Sequence, residues 1–168
     1  LIGCMNTLLT RRDFGSLLMA AVPAAAAAGK DTNGWIPLFD GKSLRGWKAA
    51  EHTHSWKVVD GLLTADGALS HLFYTGRVRN GEFKNFELTI DWKIEIGGNS
   101  GIFYRGVEDS DAIYWNAVEM QVLDDAKHPD GQDRMTSAGA AYDLYPSPKG
   151  HVNPGGEWNT ARLIVKGN

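Results

Sequence analysis

The clearest pattern in the chain runs from Phe86 to Ile96. Phe86, Leu88, Ile90, Trp92, Ile94 and Ile96 alternate strictly with Glu87, Thr89, Asp91, Lys93 and Glu95. Strict period-two alternation predicts a β-strand with one buried and one wet face, the mark of an antiparallel sheet. Shorter segments of the same kind flank it. Trp35 to Phe39 reads as a short strand before a turn at Asp40-Gly41. Trp56 to Val59 and Leu62 to Ala65 flank Asp60-Gly61, a hairpin signal because both turn residues tolerate positive φ. Further strands are expected over Leu72 to Thr75, 101–105, 113–123 and Trp158 to Lys166, the last with Ala161, Leu163 and Val165 on one face. Asp124 to Gly156 is polar and rich in Pro and Gly, with a short ordered piece expected over Ala138 to Tyr142.

After residue 30 no segment carries helical periodicity, and no internal repeat is visible. The economical architecture is an all-β antiparallel β-sandwich of jelly-roll type. Two neighbouring segments stand out within it: Gly97-Gly98-Asn99-Ser100-Gly101-Ile102-Phe103-Tyr104-Arg105 and Val118-Glu119-Met120-Gln121-Val122-Leu123-Asp124-Asp125. In the second, Val118, Met120 and Val122 share one face while Glu119 and Gln121 share the other. Polar groups spaced this way are either plainly solvated or the floor of a polar ligand site.

Composition narrows the classes. A chain of 168 residues suits one domain, and 43% hydrophobic with 22% charged residues is ordinary for a globular protein. Twenty Gly and six Trp favour short strands and tight turns. The formal charge of -3 argues against a nucleic-acid partner, which would require a basic face. Cys4 is the only cysteine, so no internal disulfide can form.

Residues 1–28 have the layout of an export signal with its start at Met5: a charged beginning with Arg11-Arg12, an apolar run from Phe14 to Val22, and small residues ending near Ala26-Ala27-Ala28. Thr10-Arg11-Arg12-Asp13-Phe14 is similar to the twin-arginine type, which exports folded proteins. The expected location is periplasmic or secreted, with membrane contact only through export; the alternative is an Ala-rich tail or a frayed helix. Residues 29–168 then form the domain. Leu163 to Asn168 stop where a hairpin would turn, so one or two closing strands are expected beyond it.

Five pieces in order resemble the 3-keto-disaccharide hydrolase domain family: Leu38 to Trp47, Asn99 to Arg105, Glu119 to Asp124, Gly139 to Tyr145, and Gly156 to Asn159. The resemblance covers nearly everything from residue 35 onward. It implies a concanavalin-A-like jelly roll, a carbohydrate groove on a curved sheet, and an exported bacterial protein that acts on 3-keto-glycosides. A ketone at C3 acidifies the C2 proton; a base removes it, an enolate forms, and the C1 substituent leaves by elimination. Such chemistry needs a base, donors for the enolate oxygen and an acid for the leaving oxygen.

Glu119 is the first choice for the base, with a structural carboxylate paired to Arg105 as the alternative. Arg105 offers a planar fork for sugar hydroxyls or the enolate, or else a cross-strand salt bridge. Asp124, at its strand end, is a candidate second carboxylate. Tyr142 is a candidate acid or stacking platform, or a packed core residue. Gln121 and Asn99 are expected to orient sugar hydroxyls, Trp115 to stack on a sugar ring, and His151 to approach the groove. Asp124, Asp125, His128, Asp130 and Asp133 leave a divalent cation open, but their spacing fits no standard calcium loop and turn formation explains them more simply. No cofactor motif and no paired zinc-ligand spacing is present. The expected partner is an oligosaccharide or glycoside substrate; a non-catalytic carbohydrate-binding module and a structural sandwich are the rival readings.

Overall fold

The computed structural model describes residues 8–12, 17–20, 35–106, 113–148 and 150–167. Among the described residues, two five-stranded antiparallel sheets make a sandwich, as the alternation predicts. The strands are β1 (Leu8–Arg12), β2 (Leu17–Ala20), β3 (Trp47–Ala49), β4 (Trp56–Val59), β5 (Leu62–Ala65), β6 (His71–Tyr74), β7 (Phe86–Ile94), β8 (Asn99–Tyr104), β9 (Val118–Leu123) and β10 (Asn159–Val165). The first sheet has the order β3-β6-β1-β8-β9 and the second β10-β7-β2-β5-β4.

The Asp60-Gly61 hairpin forms as expected, with both residues at positive φ (51° and 79°). It sets the register Val58↔Leu63 and Trp56↔Ala65 between β4 and β5. Trp35 to Phe39 is not a strand; only the turn after it is built as expected. There the Asp40 carboxylate accepts from the backbone N–H groups of Lys42 and Ser43 at 2.8 and 2.7 Å. These two backbone N–H bonds hold its pKa below the usual carboxylate value. β7 ends at Ile94, two residues short of the alternation, because the chain turns at once: Gly98 N–H donates to the Glu95 carbonyl and Gly97 takes φ 73°.

The core follows from alternation. Leu72, Ile102 and Val122 of the first sheet pack with Trp56, Leu63, Trp92 and Ile94 of the second. Leu63, Leu72, Ile102 and Val122 are fully buried, each contributing roughly 1.5–3 kcal/mol of hydrophobic stabilisation. The long polar segment is not a slack loop. Residues 139–142 run antiparallel along the free edge of β9, with Gln121 N–H donating to the Ala140 carbonyl and Tyr142 N–H to the Glu119 carbonyl. Asp125 accepts from Ala138 N–H at 2.8 Å, and Ser137 and Ser147 hydroxyls meet at 2.6 Å. His128 Nδ1 caps the turn Pro129–Gln132 through Asp130 N–H. The acidic residues of this segment thus serve turns, as their type suggests.

Of the expected export signal, residues 8–12 and 17–20 are described. Their backbones pair as β1, between β6 and β8, and as β2, between β7 and β5. The remainder of that signal, including the apolar run's start and the Ala tract, lies outside the described residues. β10 pairs with β7 from Asn159↔Trp92 to Val165↔Phe86.

Candidate functional site

The face of the first sheet turned away from the core carries the unusual residues. Register places Asn99, Gly101 and Phe103 of β8 opposite Leu123, Gln121 and Glu119 of β9, so these side chains share that face. Ala141 pairs with Met120, which sets Tyr142 beside Glu119 on the added edge. On the far side, Thr10 of β1 pairs with both His71 and Gly101, so His71 belongs to the same lateral row.

This face is polar but not wet. Glu119 is 5% exposed, Asn99 4% and Gln121 0%. Both amide atoms of Gln121, and the Asn99 Oδ1, have no hydrogen-bond partner among the described residues. Leaving a buried polar group unsatisfied costs about 1–3 kcal/mol, so a Leu or Met at position 121 would serve the fold better. A second apolar cluster of Phe73, Phe103 and Ile113 walls the site, and Ile113 brings with it the short turn Ile113–Trp115. Trp115 at the end of that turn is 77% exposed.

Gly101 makes room for Glu119. A Cβ at position 101 would lie 2.0 Å from Glu119 Oε1 and 2.7 Å from its Cδ, so the carboxyl group rests directly over the glycine backbone. A glycine inside a strand signals such a close approach. The sequence carried that signal, although nothing in it says which side chain fills the space.

His71 and Glu51 were not singled out from the sequence. His71 is 5% exposed; its Nδ1 stands 2.6 Å from Glu51 Oε1, and its backbone N–H donates to Glu51 Oε2 at 2.8 Å. Burial pushes the Glu51 pKa up, but the hydrogen bonds from the His71 ring and backbone outweigh it and leave the carboxyl below its usual value. The two residues are twenty positions apart and meet only because β3 pairs with β6, which no local pattern reveals.

Three expected site residues go elsewhere. Arg105 does not meet Glu119: it takes φ 60° directly after β8, which breaks the alternation, and its guanidinium donates to the Gly167 carbonyl. It lines a cleft of about 270 Å³ with Tyr104, Val118, Leu144, Tyr145 and Lys166, among side chains of the opposite sheet face. In that cleft burial pushes the Tyr104 phenol pKa up, with Arg105 pulling it down less strongly. Asp124 is 1% exposed and spent on backbone: Oδ2 accepts from Gly97 N–H at 2.8 Å and Oδ1 from Ala126 N–H at 3.2 Å. Its position at the strand end makes it a tie between the β7–β8 turn and β9 rather than a second carboxylate beside Glu119. His151 is exposed against Gly139, its Nε2 3.0 Å from where a side chain on that glycine would begin. Among the described residues, no cluster of three His, Cys, Asp or Glu is arranged to hold a metal ion.

Comparison with known proteins decides the family. Residues 34–168 match the model of the 3-keto-alpha-glucoside-1,2-lyase-like domain. The chain belongs to this family. A relative from Bacteroides thetaiotaomicron, named 3-keto-disaccharide hydrolase, is 36% identical over 160 residues, covering 80% of this chain and 53% of the relative. The chain therefore spans about half the length of that curated relative. A crystallised protein from Parabacteroides distasonis, described as a "putative glycosyl hydrolase", superposes with a TM-score of 0.62 at 28% identity, covering 77% of this chain and 63% of that one. That crystallised protein thus shares the fold observed here.

Proposed function

We propose that this 3-keto-alpha-glucoside-1,2-lyase-like domain cleaves 3-keto-glycosides by removing the proton next to the ketone, with Glu119 as the base. One observation carries the reading: a buried carboxyl group laid over Gly101 beside a fully buried, unpartnered Gln121 amide. Glu119 takes the C2 proton and the electron pair passes into the C3 ketone as an enolate. Gln121 Nε2 donates to the enolate oxygen, and Asn99 Oδ1 accepts from a sugar hydroxyl. The enolate then expels the C1 oxygen, which takes up a proton, and water adds to the resulting enone to complete hydrolysis. Burial makes the amide donor effective, because little solvent screens it from the charge that develops.

The test is turnover of a 3-keto-disaccharide against its unoxidised parent, in a chain extended as in the relatives. The keto sugar is expected to be cleaved and the parent left intact; cleavage of both at similar rates would contradict proton abstraction. Trp115, 77% exposed beside the site, also favours a binding-module reading. On that reading keto and parent sugars bind alike, neither is cleaved, and Trp115→Ala abolishes binding.

The twin-arginine layout of residues 1–28 supports export to the periplasm or beyond. Deleting these residues tests it: a leader leaves a folded, active domain behind, whereas an indispensable role for β1 and β2 in the two sheets would leave the protein unfolded.

A further inference from the structure

The proton-abstraction reading needs an acid for the departing C1 oxygen apart from the base; Arg105 and Asp124 lie away from Glu119, and Tyr142 stands on the edge directly next to it. We infer that His71, held by Glu51, gives and takes that proton. This rests on the function proposed above and adds a second residue to its chemistry.

Placement is the first argument. His71 and Glu119 both neighbour Phe103 on one face of the first sheet. The Glu119 carboxyl lies over Gly101. The imidazole packs edge-on to the Phe103 ring, with centroids 6.3 Å apart, and Phe103 is the direct register partner of Glu119. Base and imidazole therefore lie about the Phe103 ring on one sheet face.

The hold on the ring is the second argument. Glu51 grips both the backbone N–H and Nδ1 of His71. The Glu51 backbone is held in turn, since Ala50 N–H donates to the His71 carbonyl and the Ser70 hydroxyl donates to the Glu51 carbonyl. A carboxylate accepting from Nδ1–H settles the tautomer and leaves Nε2 as the nitrogen that exchanges a proton. The Nδ1 contact orients the ring and the backbone contact holds the carboxylate in place, the support an acid–base imidazole requires.

The steps balance. The Glu119 carboxylate accepts the C2 proton; as the C1–O bond breaks, its electron pair leaves with the oxygen, which takes the Nε2 proton of a His71 imidazolium and leaves the neutral Nδ1–H ring. Water then adds to C1 of the enone, returning one proton to Nε2, while Glu119 returns the other to C2. No oxidant, reductant or further reactant enters.

Leaving-group dependence tests this in the extended chain. A 4-nitrophenyl 3-keto-glucoside departs without help, whereas a methyl 3-keto-glucoside needs an acid. His71→Gln is expected to lose about 100-fold or more in kcat on the methyl substrate and less than about tenfold on the nitrophenyl one. Glu51→Gln should show the same bias more weakly. Deuterium exchange at C2, catalysed by Glu119, should persist in His71→Gln. Equal losses on both substrates, or no loss on either, would overturn the role of His71 while leaving the function above intact. Failure of wild type to cleave either substrate or to exchange C2 would overturn that function itself.

Discussion

Strands β7 and β9 carry the same kind of pattern and meet opposite fates. Both alternate apolar residues with Glu and other polar groups. On β7 the polar face lies open on the second sheet. There Glu87 pairs with Arg162, Asp91 accepts from the Thr160 hydroxyl at 2.6 Å, and Lys93 lies 5.2 Å over the Trp158 ring. On β9 the polar face is closed off, with Glu119 and Gln121 buried and the glutamine amide unpartnered. The first arrangement is solvation with modest cross-strand pairing. The second is costly to the fold, and a fold keeps such a cost where the site does something else.

The largest expected effect breaks the equivalence of the two glutamates. Glu119→Gln should lower kcat on a 3-keto-disaccharide by about 10³-fold, while Glu87→Gln stays within about twofold. Next comes Gln121→Met, close in volume but without the unpaired amide. It should raise stability by about 1 kcal/mol in urea unfolding, and lower kcat about 100-fold. A destabilised Gln121→Met would mean the amide serves the fold. Asp124→Ala should do the reverse, losing about 2–4 kcal/mol of stability through its two backbone hydrogen bonds while the folded fraction keeps its kcat.

Acid should separate the Glu51–His71 pair from the exposed ones. The Glu51 carboxyl is held below its ordinary value of 4.5. Its stabilisation is therefore complete above about pH 4.5 and lost as pH falls through the lowered folded value. The difference in urea midpoint between wild type and Glu51→Gln should accordingly shrink below that pH. The smallest effect belongs to Arg162→Ala. Its exposed pairing with Glu87 should contribute less than about 1 kcal/mol, and less still in high salt.

The sandwich was legible because alternation reports burial directly: β7, the β4–β5 hairpin and β10 all follow from it. Trp35 to Phe39 failed because an apolar run this short has no period to distinguish a strand from a packed coil. Glu119, Gln121 and Asn99 were legible as polar residues on one strand face, but period two cannot say whether that face is covered. Arg105 was misplaced because a positive φ after a strand end reverses the direction that alternation predicts. The Glu51–His71 pair was invisible, since it depends on which strands become neighbours. Gly101 left a readable trace, a glycine inside a strand, whose meaning only the Glu119 carboxyl above it supplies.

Hydrogen exchange at the sugar's C2 tests the central claim most directly. Cleavage of a 3-keto-disaccharide in D₂O by the extended wild-type chain should place one deuterium at C2 of the 3-keto-glucose released, above an enzyme-free control. Glu119→Gln should abolish that incorporation. Cleavage that retains the original C2 hydrogen, or undiminished incorporation by Glu119→Gln, would contradict it.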